Sequence, residues 1–420
     1  MSSTSLKPRV AFFALAAAAL LVGGVDAAAP TMPAASAPSA EPLPGMPRVV
    51  DAQNIYSETR SLEQLSPAVR GDLERIYVPN LRSNDVYVID PSSMKVVDRF
   101  KVGISPQHVI PSWDLRTLWV ANNAERRNDG SLTPVDPRTG RPGKPIAVDD
   151  PYNMYFTPDG ASAVIVAEAR HRLDMRDPKT LALQYSIDAP KCPGINHGDF
   201  SIDGRFAIFT CEFEGSVAKI DWVKHEVVAY LKLAMPKTRY RAAPIGPDGL
   251  ATEICSATKG MPQDIRISPD GKRFYVADMS ADGVHIVDGA SFKEVGFIAT
   301  GVGAHGLYPS RDGKLLYVAN RGSHAIHGPR HGAGSVAVID FATEKVVARW
   351  PVPGGGSPDM GNVSADGKSL WLSGRYDDVV YRFDTTTGAV RQVAVGREPH
   401  GLAVWPQPGR YSLGHTGNLR

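Results

Sequence analysis

Four of the eleven histidines, His108, His197, His305 and His400, recur just inside short apolar segments that follow turns. Asp264 and Asp359 hold the corresponding places in two further segments. Imidazoles that converge on one point suit a transition metal or a haem iron. A second set trails the next segment of each stretch: Arg82, Arg126, Arg170, Asn320, Arg321 and Arg375. Arginine forks suit carboxylate or phosphate groups. The longest such trailing loop carries His324, His327 and His331 beside Arg330. These residues are far apart in the chain, so any joint chemistry depends on elements that bring them to one face.

Those elements repeat. A turn of the type Ser-x-Asp-Gly stands at 157–160 (with Thr for Ser), 201–204, 268–271, 310–313 and 364–367, with a degenerate copy at 112–115. Asp-Gly between apolar runs is a strong hairpin signal. An aspartate ends another apolar run at 90, 136, 177, 221, 288, 340 and 384, a mean spacing of 49 residues. These aspartates read as turn residues that bond local backbone amides. Each period holds four short strands, the signature of a propeller blade. The count predicts an all-β, seven-bladed β-propeller over residues 75–410, with four antiparallel strands per blade. Its first blade lacks an innermost strand, which the C-terminal run Pro399–Val404 supplies, so the N- and C-terminal segments pair to close the ring. In such a ring the starts of the innermost strands and the loops after the second strands share one face. That places both residue sets around the mouth of the axial channel.

The second strands Ile76–Asn80, Leu118–Asn122, Phe274–Asp278 and Leu316–Asn320, with the Ser-Pro-Asp-Gly turns, resemble the YVTN-type β-propeller family. The resemblance spans residues 75–410 and implies the fold more firmly than any activity. Related propellers form the haem domain of cytochrome-cd-type nitrite reductases and some lactonases. Three functions follow as expectations. The first is a non-catalytic protein that binds a ligand or partner protein through its His/Arg-rich face. The second is a metal- or haem-dependent redox or cofactor-handling protein, with His108, His197, His305 and His400 as ligands to a transition metal or haem-type tetrapyrrole. The third is a lactonase-like hydrolase.

Composition narrows the setting. With 46 basic and 44 acidic residues the chain is nearly neutral, which argues against a nucleic-acid coat. Lys7 and Arg9 precede the apolar run Val10–Val22, and small residues follow. Residues 1–28 therefore read as a cleaved signal peptide for a periplasmic or secreted protein without a membrane anchor. Residues 29–74 read as a Pro/Ala-rich leader with a helix at Ser61–Arg75, and 411–420 as a C-terminal tail. A closed ring leaves no free sheet edge, so a monomer is expected. The three cysteines permit one bridge, expected between Cys192 and Cys255, with Cys211 a buried apolar residue or a metal ligand. Gly301–Gly306 matches Gly-x-Gly-x-x-Gly but precedes a strand, so it is no dinucleotide site.

Overall fold

The structure is a computed structural model that describes residues 43–125, 127–236, 258–327, 332–415 and 418–420, and Met1. The expected signal peptide, Arg126, Cys255, Arg330, His331 and residues 237–257 of the expected insertion lie outside the described residues. Seven four-stranded antiparallel sheets make up the unit Ala40–Arg420, so the seven-bladed propeller is the fold. Blade 2, for instance, runs outward from Pro106–Pro111 through Leu118–Asn122 and Ser131–Val135 to Ile146–Ala147. In blade 1, the strands Arg75–Asn80, Asp85–Asp90 and Lys95–Lys101 are joined by Ala403–Trp405, which pairs antiparallel with Arg75–Tyr77.

The repeated strand sequence explains the ring. Strand side chains alternate between faces. In Arg273–Asp278, Phe274 and Val276 pack toward blade 4, while Tyr275 and Ala277 pack toward blade 6. Leu315–Asn320 repeats the division, with Leu316 and Val318 on one side and Tyr317 and Ala319 on the other. Each Tyr-Val-Ala-type strand therefore feeds two apolar layers. Seven such layers lie between successive blades. Innermost strands such as Pro106–Pro111 are buried throughout, while outer strands such as Lys95–Lys101 are exposed.

The hairpin turns are built as their sequences predict. In Ser268–Gly271 the serine hydroxyl donates to Asp270 at 2.6 Å, and the amides of Lys272 and Arg273 return to Asp270 and Ser268. The degenerate copy keeps Ser112 on Asp114 at 2.7 Å but places Leu115, not glycine, at φ 62°. The strand-ending aspartates accept backbone amides, as Asp90 does from Ser92 and Ser93.

Two expectations require correction. Ser61–Arg75 is not a helix but two single 3-10 turns, Leu62–Gln64 and Pro67–Val69, and the first strand starts at Arg75. Pro67 has no N–H and biases Ser66 away from helical backbone, so the segment breaks there. The bridge joins Cys192 to Cys211, not to Cys255. In blades 1, 2 and 6 the equivalent places hold a glycine against an asparagine: Gly396 on Asn80, Gly103 on Asn122 and Gly301 on Asn320. Blade 4 replaces this Gly–Asn contact with a covalent bond.

The ends of the chain are packed more firmly than a leader and tail suggest. Tyr56 donates to Ile267 O at 2.6 Å, and Asn54 reaches Asp312 O at 3.3 Å, on the side of the Ser-x-Asp-Gly turns. The tail turns into the axial channel from that same side. Leu413 O accepts from Phe156 N at 3.0 Å, His415 N donates to Met154 O at 2.9 Å, and Arg420 pairs with Asp199 at 3.0 Å. Among the described residues no helix is long and apolar enough to cross a membrane.

Candidate ligand pocket and histidine cluster

The innermost strands carry a bulge near their starts in six blades, as between Pro106 and His108, Ile195 and Gly198, and Ala304 and Leu307. A bulge re-aims side chains. It lets histidines at different offsets from their turns all reach the axis. His108 lies 4.8 Å from His400 and 5.2 Å from His197 between ring centroids, and His305 lies 5.8 Å from His400. All four are buried. The structure brings the predicted set together, then divides it by bonding.

Asp359 organises one half. Its Oδ2 lies 2.8 Å from His400 Nδ1, and its Oδ1 lies 2.9 Å from His305 Nδ1 and 2.8 Å from Arg321 Nη2. Arg321 Nη2 also donates to His305 Nε2. An arginine can only donate, so His305 Nε2 accepts and its proton sits on Nδ1, facing Asp359. Burial works against the Asp359 charge, but Arg321, His305 and His400 together hold its carboxyl well below the usual range. Burial, then Arg321, lowers His305, and burial, then Arg375, holds His400 down to about 3. This layer is therefore a carboxylate–arginine pair flanked by two neutral imidazoles.

The other half is His108 and His197. A third imidazole, His415 from the tail, completes a cluster whose ligating nitrogens lie within 4.8 Å of one another. No repeat marks His415, because the tail belongs to no blade. Gly414 beside it, at φ 93°, is the residue that lets the chain turn there.

Above Asp359 the channel opens into a cavity of about 490 Å³. Its wall from blades 2 to 4 carries Glu125, Asp150, Glu168 and Glu212, and its wall from blades 6, 7 and 1 carries Arg321, Arg375, His400 and Arg82. Glu168 and Glu212 are hydrogen-bonded to each other, and burial first, then their mutual repulsion, raises Glu168 well above the ordinary range. Asn196 Nδ2 donates to Glu212 at 2.8 Å. These two glutamates escaped sequence reading, since blade position rather than any motif joins them. At the rim Arg82 bridges Glu125 at 3.0 Å and Glu398 at 3.1 Å. Arg375 is 3% exposed, and its Nε and Nη1 have no hydrogen-bond partner among the described residues.

Three predicted binding residues stand elsewhere. Arg170 is exposed and pairs with Asp149 at 2.9 Å. Asn320 is a blade residue whose Oδ1 accepts from Thr300 at 2.8 Å and whose Nδ2 reaches Ser335. Asp264 ties blades together below the cavity, accepting from Leu307 N at 2.9 Å and Arg266 at 2.9 Å.

Residues 249–408 match the family model of the YNCE-like beta-propeller. The chain is a β-propeller protein. Among solved structures it is similar to hydrazine synthase of Kuenenia stuttgartiensis, at 20% identity and TM-score 0.54 over 72% of this chain and 91% of that one. It is similar to the dihydro-heme d1 dehydrogenase NirN, at 15% identity and TM-score 0.55, covering 87% of this propeller and 83% of that chain. A Bacteroides uniformis protein assigned as a 6-phosphogluconolactonase gives 16% identity and TM-score 0.56, over 79% and 99%. At these identities the likeness is one of fold. The expected propeller fold is borne out. No curated protein matches the chain.

Proposed function

We propose that this propeller is an exported, non-catalytic binding protein that takes a small monoanion or zwitterion into the cavity on its upper face. The observation that carries this reading is Arg375, a buried guanidinium on the cavity wall with two nitrogens that have no hydrogen-bond partner among the described residues. Buried guanidinium N–H groups without acceptors are costly. A ligand carboxylate or phosphate supplies the acceptors that Arg375 Nε and Nη1 lack among the described residues, beyond the nearby charge of Glu398. Arg82 and Arg321 are already committed to carboxylates, so Arg375 is the arginine of this cavity whose donors remain open. Across the ring, the Glu168–Glu212 pair suits an ammonium or hydroxyl on the same ligand. The Cys192–Cys211 bridge supports export, since such bonds persist in oxidising compartments.

NirN shares the fold, so a tetrapyrrole is the cofactor to test against these walls. The lining does not fit one. A macrocycle needs apolar surfaces for its two faces, and these walls are largely Arg, Glu, Gln and His. The two imidazoles on the floor, His305 and His400, are bonded to Asp359.

The test is calorimetric and thermal-shift titration of the mature chain with small carboxylates, phosphomonoesters and amino acids. Arg375→Gln is expected to weaken the best binder by about 2 kcal/mol, the scale of a charge-assisted hydrogen bond. If no compound of the panel binds, or Arg375→Gln binds as tightly as the wild type, the reading fails.

A further inference from the structure

Below the Asp359 layer lies a second, unused group of side chains. His108 and His197 project from the innermost strands of blades 2 and 4, and His415 comes from the tail. All three are wholly buried. Their ring centroids are 5.2 Å, 5.3 Å and 4.5 Å apart. Both ring nitrogens of His108, and both of His197, have no hydrogen-bond partner among the described residues. Buried polar atoms are nearly always satisfied, so four unpaired ring nitrogens on one axis call for a reason.

The surroundings are shaped to hold these rings. A Cβ at Gly401 would lie 1.9 Å from His108 Nδ1, so the ring occupies space that only glycine leaves. His415 is oriented by Asn153 Nδ2 at 2.9 Å and by Asp264 Oδ1 at 3.4 Å. His415 Nδ1 accepts from the Asn153 amide and its Nε2 faces the Asp264 carboxylate. The amide contact gives way when Nδ1 takes a metal, while a carboxylate on the other ring N–H is the outer support that metal-ligating histidines use. Tyr152 stands edge-on to both His108 and His197 and separates the group from the cavity.

We propose that His108, His197 and His415 bind one divalent transition-metal ion, with the C-terminal tail supplying the third ligand. Three imidazoles without thiolate suit a zinc- or copper-like ion, and they discriminate against the hard, oxygen-seeking calcium and magnesium. Bonds of about 2.1 Å would set the nitrogens roughly 3.4 Å apart, so the rings draw together by about an ångström on loading. The site differs from the histidine set expected from sequence: His305 and His400 belong to Asp359, and His415 takes their place.

The experiment uses the mature full-length chain, stripped with a chelator and shown to be folded by circular dichroism. It is equilibrated with zinc, dialysed and assayed for metal; cobalt is followed by its visible spectrum, and magnesium is the control. One equivalent of zinc per chain, retained against excess magnesium, is expected. His415→Gln on the tail and His197→Gln on blade 4 should each weaken zinc binding by at least about 100-fold. His225→Gln, whose ring stacks on Tyr185 at the outer surface, should bind zinc as the wild type does. Imidazole NMR of the wild type, which needs no variant, should show three rings shifting with one equivalent. Folded wild type that takes up no stoichiometric zinc overturns the proposal. So does uptake that shifts no imidazole, or uptake that survives in both folded variants. Metal content and ring shifts do not depend on the cavity ligand, so failure here is distinct from failure of the binding reading.

Discussion

Replacing Asp359 with asparagine probes the centre of the molecule. The carboxylate holds His305 at 2.9 Å, His400 at 2.8 Å and Arg321 at 2.8 Å, all at 3% exposure or less. Asparagine keeps the shape and one acceptor oxygen but removes the charge. Arg321 then has only neutral hydrogen-bond partners, among them His305 Nε2, Tyr376 Oη at 3.3 Å and Ala325 O at 3.4 Å. Breaking a buried ion pair from one side costs about 3–5 kcal/mol, and the retained oxygen favours the lower end, about 3–4 kcal/mol. With an m-value of about 3 kcal/mol per molar urea, the unfolding midpoint falls by about 1 M. The double variant Arg321→Met/Asp359→Asn removes both charges and should recover most of that loss, because the cost lies in the unmatched cation. The pH dependence has a definite sign. The folded carboxyl titrates well below its unfolded value, so its contribution is fully present above about pH 4 and is lost as pH falls through the folded value. The difference between wild type and Asp359→Asn should therefore vanish in strong acid. A midpoint within about 0.2 M of wild type at neutral pH, or a double variant weaker than the single one, refutes the reasoning.

Burial first holds His108, His197 and His415 well below their ordinary value, and His400 down to about 3, so all four are neutral when folded and protonate on unfolding near pH 6.5. Their stability is present above about pH 7 and is lost as pH falls. Against burial, Asp278 and Glu294 hold His285 up to about 9, and burial raises Asp150 to about 6; both oppose the loss. Five lowered imidazoles, His305 included, outweigh these and the raised Glu168, so the urea midpoint of metal-free protein should fall between about pH 7.5 and 5.5, and an unchanged midpoint would contradict it. Cys192 and Cys211 close a loop across 19 positions, so Cys192→Ala/Cys211→Ala should lose about 3 kcal/mol and become insensitive to reductant; a 192–255 linked peptide in a non-reduced digest would refute the pairing. Ending the chain after Arg410 removes buried Tyr411, Leu413 and Leu419, at about 1.5–3 kcal/mol each, and leaves Asp199 without Arg420. That truncation should unfold at markedly lower urea, and an unchanged midpoint would mean that the tail does not occupy the channel.

The blades were legible because their determinants are local. Alternation in Phe274–Ala277 assigns each side chain to one neighbour, and Ser268–Gly271 closes its turn with its own hydroxyl and carboxylate. The convergence of His108, His197, His305 and His400 was legible for the same reason, since each follows a turn that starts an innermost strand. What sequence could not show is how they divide, because Asp359 reaches two of them from a neighbouring strand. His415 carries no local signal at all: its place depends on Gly414, Asn153 and Asp264, which are distant or outside the repeat. The Cys192–Cys211 pair did carry one. Superposing the repeats puts Cys192 on Gly103 and Gly301, and Cys211 on Asn122 and Asn320, two positions that touch.

The same Asp359→Asn exchange should move ligand affinity in the opposite direction from stability. The cavity's three arginines do not contribute equally: Arg82 is neutralised by Glu125 and Glu398, Arg321 by Asp359, and only Arg375 lacks a hydrogen-bonded counter-charge on its Nε and Nη1. Removing the Asp359 charge frees Arg321, which lines the cavity, to face the ligand. A second guanidinium in a partly dry pocket should tighten a bound carboxylate or phosphate by about 1.5 kcal/mol, roughly tenfold, and favour dianions over monoanions. Arg321→Met does the reverse, because it leaves the Asp359 carboxylate unmatched beneath the anion. The open donors of wild-type Arg375 and the pairing of Arg321 then read as a trade between a stable floor and a tighter grip. Calorimetry on both variants with the same anion decides it. Weaker binding in Asp359→Asn would mean that Asp359 shapes the pocket rather than merely neutralising its second arginine.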